Sequence, residues 1–426
     1  MSLKTPQRIA VGAVAALLGI SLSACSGQTP AAPASEKATT GSFSIGTNHS
    51  PAVKTIVELF NKKYPDIKVD VRDMAQSYRE VLGSQLAGGN APDVVEIPGG
   101  GGNPISAKVA GQRNFYADLG KTEWAGSIPD IAKQQLETDK GKLVAVPMVV
   151  SSIGGIYNQN ALDEVGLSAP KTWSEVLDFC GDAKAKGRVA YGLGLSDTWT
   201  TQLIPYALTS TLVYGPNQNF LEDQTSGKAS FADSAWKDSM DKYLEMDKAG
   251  CFNASPVGTP YATVQDAIRS GNTLGTVSVA SETANIAKGG PANLKLTYTA
   301  FPANDKAEDQ YLPLSTSGFA LNAKSSSNGA AATFIDFLAE PATQVAFGAA
   351  FGDAPAMPGE EKLTSEIALL AKEYLDKDHG TTWPDRLWPN ATIQPKLFDG
   401  VQGMFIGSAS VPDVLDKMDA AFKNAG

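Results

Sequence analysis

Between Phe43 and Ile97 the hydrophobic pattern switches repeatedly between a period of two and a helical period, and this alternation restricts the fold more than any other feature. Phe43-Ser44-Ile45-Gly46 alternates as a short strand. Ser50-Pro51 supplies a helix cap and a first-turn proline, and Val53, Ile56, Val57 and Phe60 follow at helical spacing. Ile67, Val69 and Val71 alternate again, and Tyr78, Val81, Leu82 and Leu86 form a second helical stripe. Val94-Val95-Glu96-Ile97, entered from the turn Asn90-Ala91-Pro92-Asp93, is a third strand. Strand, helix, strand, helix, strand predicts an α/β lobe built on a largely parallel sheet. Ligands of such sheets gather beyond the carboxyl ends of the strands. The candidate positions are therefore Thr47-Asn48-His49 and the glycine run from Pro98 to Asn103.

The first lobe accounts for only part of the chain. Lys142 to Val150 reads as a long strand that continues through Ser151-Ser152 to Asn158, a natural crossing between lobes. Thr172 caps the next helix, with Glu175 three residues later in a capping-box arrangement, and Leu177 and Cys180 lie on its apolar side. Tyr191 to Leu195 is a strand ending at Asp197-Thr198-Trp199. Trp236 to Lys248 and Ala262 to Arg269 are helices, and Leu274 to Val279 is a strand followed by Ser281-Glu282. Leu294 to Phe301 reads as a strand leading to a second crossing at Pro302. The remainder is mostly helical, over Ala330–Leu338, Pro341–Phe347, Leu363–Leu375 and Val411–Ala421, interrupted by the stiff loop from Trp383 to Pro389.

The N-terminus has a different character. Lys4 and Arg8 precede an apolar run from Ile9 to Leu22 that is short for a membrane span and ends in Leu22-Ser23-Ala24-Cys25. This order resembles the lipobox of bacterial lipoproteins, in which the cysteine is lipidated (here Cys25, for example with palmitate) and becomes the first residue. Residues 26–42 lack bulky apolar side chains and are expected to be a flexible tether. Removing residues 1–24 leaves 402 residues, more than one ordinary core, and takes the formal charge from −10 to −12. An acidic body argues against nucleic acid as a partner. Export permits a disulfide between Cys180 and Cys251, the two cysteines left after Cys25; two buried free thiols are the alternative. Neither histidine lies near them in sequence, which speaks against a metal site there.

Seven pieces in order carry a wider resemblance: VELFNKKYPDIKV, QLAGGNAPDVVEI, GKLVAVPMVVSSIGGIYN, PKTWSEV, AIRSGNTLGTV, GFALNAKS and FIDFLAEPATQVAF. Together they resemble the extracellular solute-binding proteins of ABC importers, in the carbohydrate-binding group that includes maltose-binding protein. The resemblance implies an α/β fold of two lobes, of the periplasmic-binding-protein type, joined by crossing hinge strands. It assigns 43–149 and 301–350 to the first lobe, and 150–300 and 351–426, with the C-terminal helices, to the second. It implies a monomeric receptor, lipid-anchored outside the cytoplasmic membrane of a Gram-positive cell. The receptor would capture a carbohydrate, an oligosaccharide by preference, and deliver it to a permease driven by a cytoplasmic ATPase, with no cofactor and no catalysis.

Sugar sites need aromatic platforms and planar polar side chains. Matched to the family pattern, the ligand candidates are Asn48 and His49 in the first loop, Glu96 and Gly100 in the third, and Ser151 and Ser152 at the crossing. Asp197, Trp199, Ser281 and Glu282 follow at second-lobe strand ends, with Trp383 and Trp388 in the late loop. The glycine run either admits ligand to backbone N–H groups or is a plain turn; no Gly-Lys-Ser/Thr follows it, so it is no P-loop. Non-sugar solutes (a polyamine, a metal complex, a phosphorylated polyol) remain alternatives. Few arginines, none clustered in a candidate loop, weaken the anionic version. An enzyme reusing the fold is less favoured: the two histidines, His49 and His379, are far apart, and no G-x-S-x-G or H-E-x-x-H occurs.

Overall fold

A computed structural model describes residues 37–74, 78–325 and 328–424. The signal segment, Cys25 and most of the tether lie outside the described residues.

The predicted alternation is realised as β1 (Gly41–Thr47), α1 (Ser50–Lys63), β2 (Ile67–Asp73), α2 (Tyr78–Gly88) and β3 (Val94–Pro98). β1 runs parallel to both β2 and β3, so its carboxyl end lies beside that of β3. Val53, Ile56 and Phe60 on α1 are fully buried, and the Phe60 ring meets Phe43, Phe334 and Phe337 at centroid distances of 6.0, 5.0 and 5.2 Å. Such aromatic contacts add roughly 0.5–1.5 kcal/mol each beyond area burial, so this cluster fastens α1 to the sheet.

β4 (Val146–Asn158) is the crossing strand. Its first half, to Ser152, pairs antiparallel with β8 (Leu312–Leu321). Its second half, from Ile153, pairs with β6 (Thr273–Val279) and β7 (Leu296–Thr299). β5 (Val189–Tyr191) extends the second sheet beside β6. The strand order is β2-β1-β3-β8-β4-β6-β5, so one continuous backbone stretch belongs to both sheets. The two cores meet along it. One gathers Ile45, Phe60, Val95, Val149 and Phe319. The other gathers Ile153, Tyr157, Trp173, Tyr191 and Trp236.

Several expectations need correction. The strand expected over Tyr191 to Leu195 is β5, Val189–Tyr191, and residues 192–195 belong to no strand. The crossing strand begins at Val146, because Lys142 to Ala145 form only an isolated bridge at Leu143. The capping box at Thr172 is displaced by one residue: the Thr172 hydroxyl accepts from Glu175 N–H, but the Glu175 carboxylate accepts from Lys171 N–H. The return to the second lobe is later than residue 350. β9 (Ala354–Pro355) pairs with β4, β10 (Gly380–Thr382) pairs with β8, and Ala354, Met357, Ala368 and Ala371 pack in the first core. The second core takes over at Trp383. It also retains Phe301 and Ala303, past the expected boundary at 300.

Cys180, on the helix Trp173–Ala185, is bonded to Cys251, just past the helix Trp236–Lys248, and both are fully buried. The second lobe is thus stapled within itself. No helix among the described residues is long and apolar enough to cross a membrane.

Candidate functional site

The wall contributed by the first lobe starts where β1 ends. Thr47 is fully buried, and the chain turns through exposed Asn48 and half-buried His49 before Ser50, expected from sequence as the cap, starts α1 as its first helical residue. His49 occupies the cap position of α1 without capping it; its ring instead reaches across to β3. His49 Nδ1 lies 2.7 Å from Glu96 Oε1, and the Thr47 hydroxyl donates to Glu96 Oε2 at 2.5 Å. Burial opposes charge on His49, but the Glu96 charge and hydrogen bond outweigh it and raise its pKa. Burial likewise pushes the Glu96 carboxyl up, while His49 and Thr47 bring it below its ordinary value. The imidazolium–carboxylate pair is therefore favoured, with Nδ1 donating. The Tyr78 hydroxyl donates to the Gly46 and Glu96 carbonyls, tying α2 to the same strand ends.

The segment after the helix Pro341–Phe351 links both walls. The Phe351 ring lies 4.4 Å from the His49 ring. Gly352 packs against Ser281 and Ala284 of the second lobe. Asp353, 2% exposed, accepts from the Ser151 hydroxyl at 2.6 Å on the crossing strand. Its other carboxylate oxygen has no partner among the described residues. Burial pushes the Asp353 carboxyl up to about 7, with Ser151 and His49 acting in the opposite direction.

In the second-lobe wall, Asp197 accepts from Tyr261 N–H at 2.7 Å, and half-buried Trp199 stands edge-on to the Tyr261 ring at 5.0 Å. The late loop closes the site. Trp383 N–H donates to the Leu314 carbonyl, placing the indole beside β8. Arg386 is buried: its Nε donates to the Ser315 hydroxyl at 2.8 Å, Nη1 lies 3.3 Å from Asp385 Oδ2, and its guanidinium is 5.3 Å from the Trp383 ring.

Of these groups, His49, Glu96, Ser151, Phe351, Asp197, Trp199, Trp383 and Arg386 line one cleft of about 810 Å³. Of the positions expected from sequence, Asn48, His49, Glu96, Ser151, Asp197, Trp199, Ser281 and Trp383 border it. Gly100, Ser152, Glu282 and Trp388 do not. Gly100, at φ +71°, has backbone of Arg386 where a Cβ would stand, and Gly101 N–H donates to the Arg386 carbonyl. The glycine run thus serves close packing of two loops. Ser152 is buried and hydrogen-bonded to the Tyr298 hydroxyl. Glu282 is held by the Gln265 and Asn285 side-chain amides. Trp388, 1% exposed, packs among Tyr206, Phe231 and Trp236 in the second core. Sequence reasoning missed Arg79, Phe351, Ser315, Ser317 and Arg386 in the lining. Arg386 stood within the aromatic loop already singled out, but nothing local marks it or Arg79 as partners in one site. No group of three or more His, Cys, Asp or Glu among the described residues is arranged to hold a metal ion.

The arrangement offers aromatic faces, hydroxyls, carboxylates and guanidinium groups from both lobes and from the strands between them. It suits reversible capture of a polar solute that spans both walls. Comparison with known proteins places the chain in a family. The profile of the family described as bacterial extracellular solute-binding protein matches residues 46–345. The melibiose/raffinose/stachyose-binding protein MelE of Bacillus subtilis is 21% identical over 237 residues, covering 54% of this chain and 54% of that protein. The diacetylchitobiose binding protein NgcE of Streptomyces coelicolor is 28% identical over 159 residues, covering 35% of this chain and 33% of that protein. The matched stretch thus spans about half or less of the length of these curated relatives. Among solved structures, RafE in complex with raffinose superposes with a TM-score of 0.74 at 20% identity, over 91% of this chain and 100% of that one. At this identity the likeness is one of fold.

Proposed function

Because the chain belongs to the bacterial extracellular solute-binding proteins, we propose that it is a receptor that captures an oligosaccharide between its lobes and delivers it to an ABC permease. The observation that carries this reading is the composition of the cleft. Trp199, Trp383 and Phe351 supply ring faces, and His49, Ser151, Asp197 and Ser281 supply hydrogen-bonding groups around them. Its volume of about 810 Å³ falls within the range usual for small-molecule sites. Asn48 and His49 come from one lobe, Asp197 and Trp199 from the other, so a bridging ligand makes contacts in a closed state that it lacks in an open one. Closure then follows from differential affinity. The receptor needs no covalent step, and it works as a monomer held outside the cytoplasmic membrane by lipid on Cys25.

A thermal-shift screen over oligosaccharides tests the reading, since a ligand of the native state raises the melting temperature by mass action. A shift with a saccharide and none with polyamines or metal complexes is expected. Shifts with those solutes and with no saccharide would refute it. For the anchor, Cys25→Ala should release the protein from the membrane fraction or leave it unprocessed.

A further inference from the structure

We propose that Arg79 and Arg386 form a subsite for a carboxylate on the captured sugar, so that the ligand carries at least one acidic unit such as a uronate. This rests on the receptor reading above and narrows its substrate class. The two residues lie in opposite halves of the sequence, on α2 and on the turn Pro384–Leu387, yet both line the same cleft.

Their surroundings differ in a way that suits an incoming anion. Arg386 is fixed: Ser315 and Asp385 hold two of its nitrogens, and the Trp383 ring lies beside it. Its Nη2 has no hydrogen bond among the described residues. Asp385 is itself shared, since Gln394 Nε2 donates to the same oxygen at 3.2 Å. Arg79 makes neither a hydrogen bond nor an ion pair among the described residues, although Glu80 follows it. Of the cationic cleft residues, His49 has Glu96 and Arg386 has Asp385, while Arg79 has no carboxylate. Desolvation and then the Arg386 charge push the Arg79 guanidinium below its ordinary value, with Asp385 and Glu80 acting the other way.

Two cations facing one cleft repel, and an anion between them relieves that repulsion while gaining attraction to both. The planar guanidinium fork matches a carboxylate through two parallel hydrogen bonds. The Trp383 indole N–H, buried and without an acceptor among the described residues, adds a third donor near Arg386. An acidic sugar also uses the ring faces beside the guanidinium groups, which a free inorganic anion would not. In a chain of formal charge −10 such a pair is a local exception to the overall field.

Titration calorimetry on the whole protein tests this with three sets of probes: neutral oligosaccharides, the same oligosaccharides bearing a uronate unit, and sugar phosphates. A uronate oligosaccharide is expected to bind about tenfold or more tighter than its neutral counterpart, with the advantage shrinking at high salt. Arg79→Gln should remove the advantage, so that the uronate oligosaccharide and its neutral counterpart bind within about twofold of each other, and Arg79→Lys should retain only part of it. If a neutral sugar binds as tightly as its uronate counterpart, or Arg79→Gln leaves uronate affinity unchanged, the carboxylate subsite is overturned and the receptor reading stands. Binding of sugar phosphates without uronates overturns the carboxylate assignment. If no saccharide of any set binds, the receptor reading fails first and the subsite with it.

Discussion

Replacing Asp353 by Asn should change the stability of the protein in a strongly pH-dependent way. Asp353 is 2% exposed, accepts one hydrogen bond from Ser151, and has a second oxygen without a partner among the described residues. Burial raises its pKa from 3.8 to about 7. The native state therefore holds a proton that the unfolded state has released between those values. Below about pH 3 both states are protonated and the carboxyl costs nothing through ionisation. As pH rises stability is lost, and the loss is complete once pH passes the folded value near 7. A shift of roughly three units at about 1.4 kcal/mol each gives about 4 kcal/mol, with about half of it gone by pH 5.5. Asn keeps an acceptor for Ser151 but introduces an amide N–H₂ that needs partners, at about 1–3 kcal/mol. That cost does not depend on pH, so it shifts the baseline and leaves the slope. The assay is urea unfolding of both proteins, followed by circular dichroism from pH 4 to 8. The stability of Asp353→Asn relative to the native protein should rise by about 4 kcal/mol across that range. A difference that stays flat within about 1 kcal/mol would refute the argument that Asp353 is buried in a site that disfavours its charge.

Three further outcomes follow from other parts of the structure. Changing both Cys180 and Cys251 to Ser should destabilise the second lobe by about 2–4 kcal/mol in urea unfolding, because the bond closes a loop with a sequence separation of 71. Gly100→Ala should cost about 2 kcal/mol or more in the same measurement, since its φ of +71° strains an L side chain and the Cβ would meet Arg386 backbone. Trp199→Ala should weaken binding of a saccharide ligand about tenfold by calorimetry with a smaller loss of stability than a fully buried tryptophan would give, because Trp199 is half-buried at the cleft, packed against Tyr261 and the edge of the second core.

What could be read from the sequence followed from local periodicity. β1, α1, β2, α2 and β3 were legible because their buried side chains repeat at two or near 3.6. Asn48 and His49 could be placed at the cleft because they follow the end of β1, whereas Trp199 borders it from the turn Thr198–Gln202, well past the end of β5 at Tyr191. β8 escaped notice although it is central to the first sheet. Its sequence carries Pro313, Ser315, Thr316, Ser317 and Gly318, so it lacks the sustained apolar alternation and the run of β-formers that mark a strand. The structure buries most of this stretch by pairing it on both sides and by bonding Thr316 N–H to the Gln135 side chain. Trp388 was misplaced for a related reason. Its flanking residues suggest an exposed loop, but Tyr206, Phe231 and Trp236 arrive from distant segments to enclose it. The Arg79–Arg386 juxtaposition and the position of Phe351 against His49 exist only after segments distant in sequence have folded together. No local pattern encodes them.

The central claim is that one saccharide is held by both lobes at once. Calorimetric titration of the native protein, Asn48→Ala and Trp199→Ala with a saccharide identified by thermal shift tests it most directly. The account predicts one site per chain in the native protein and a loss of about tenfold or more in affinity from each substitution, one in either lobe. Affinity unchanged by the substitution in one lobe would place the ligand outside the shared cleft and contradict the account.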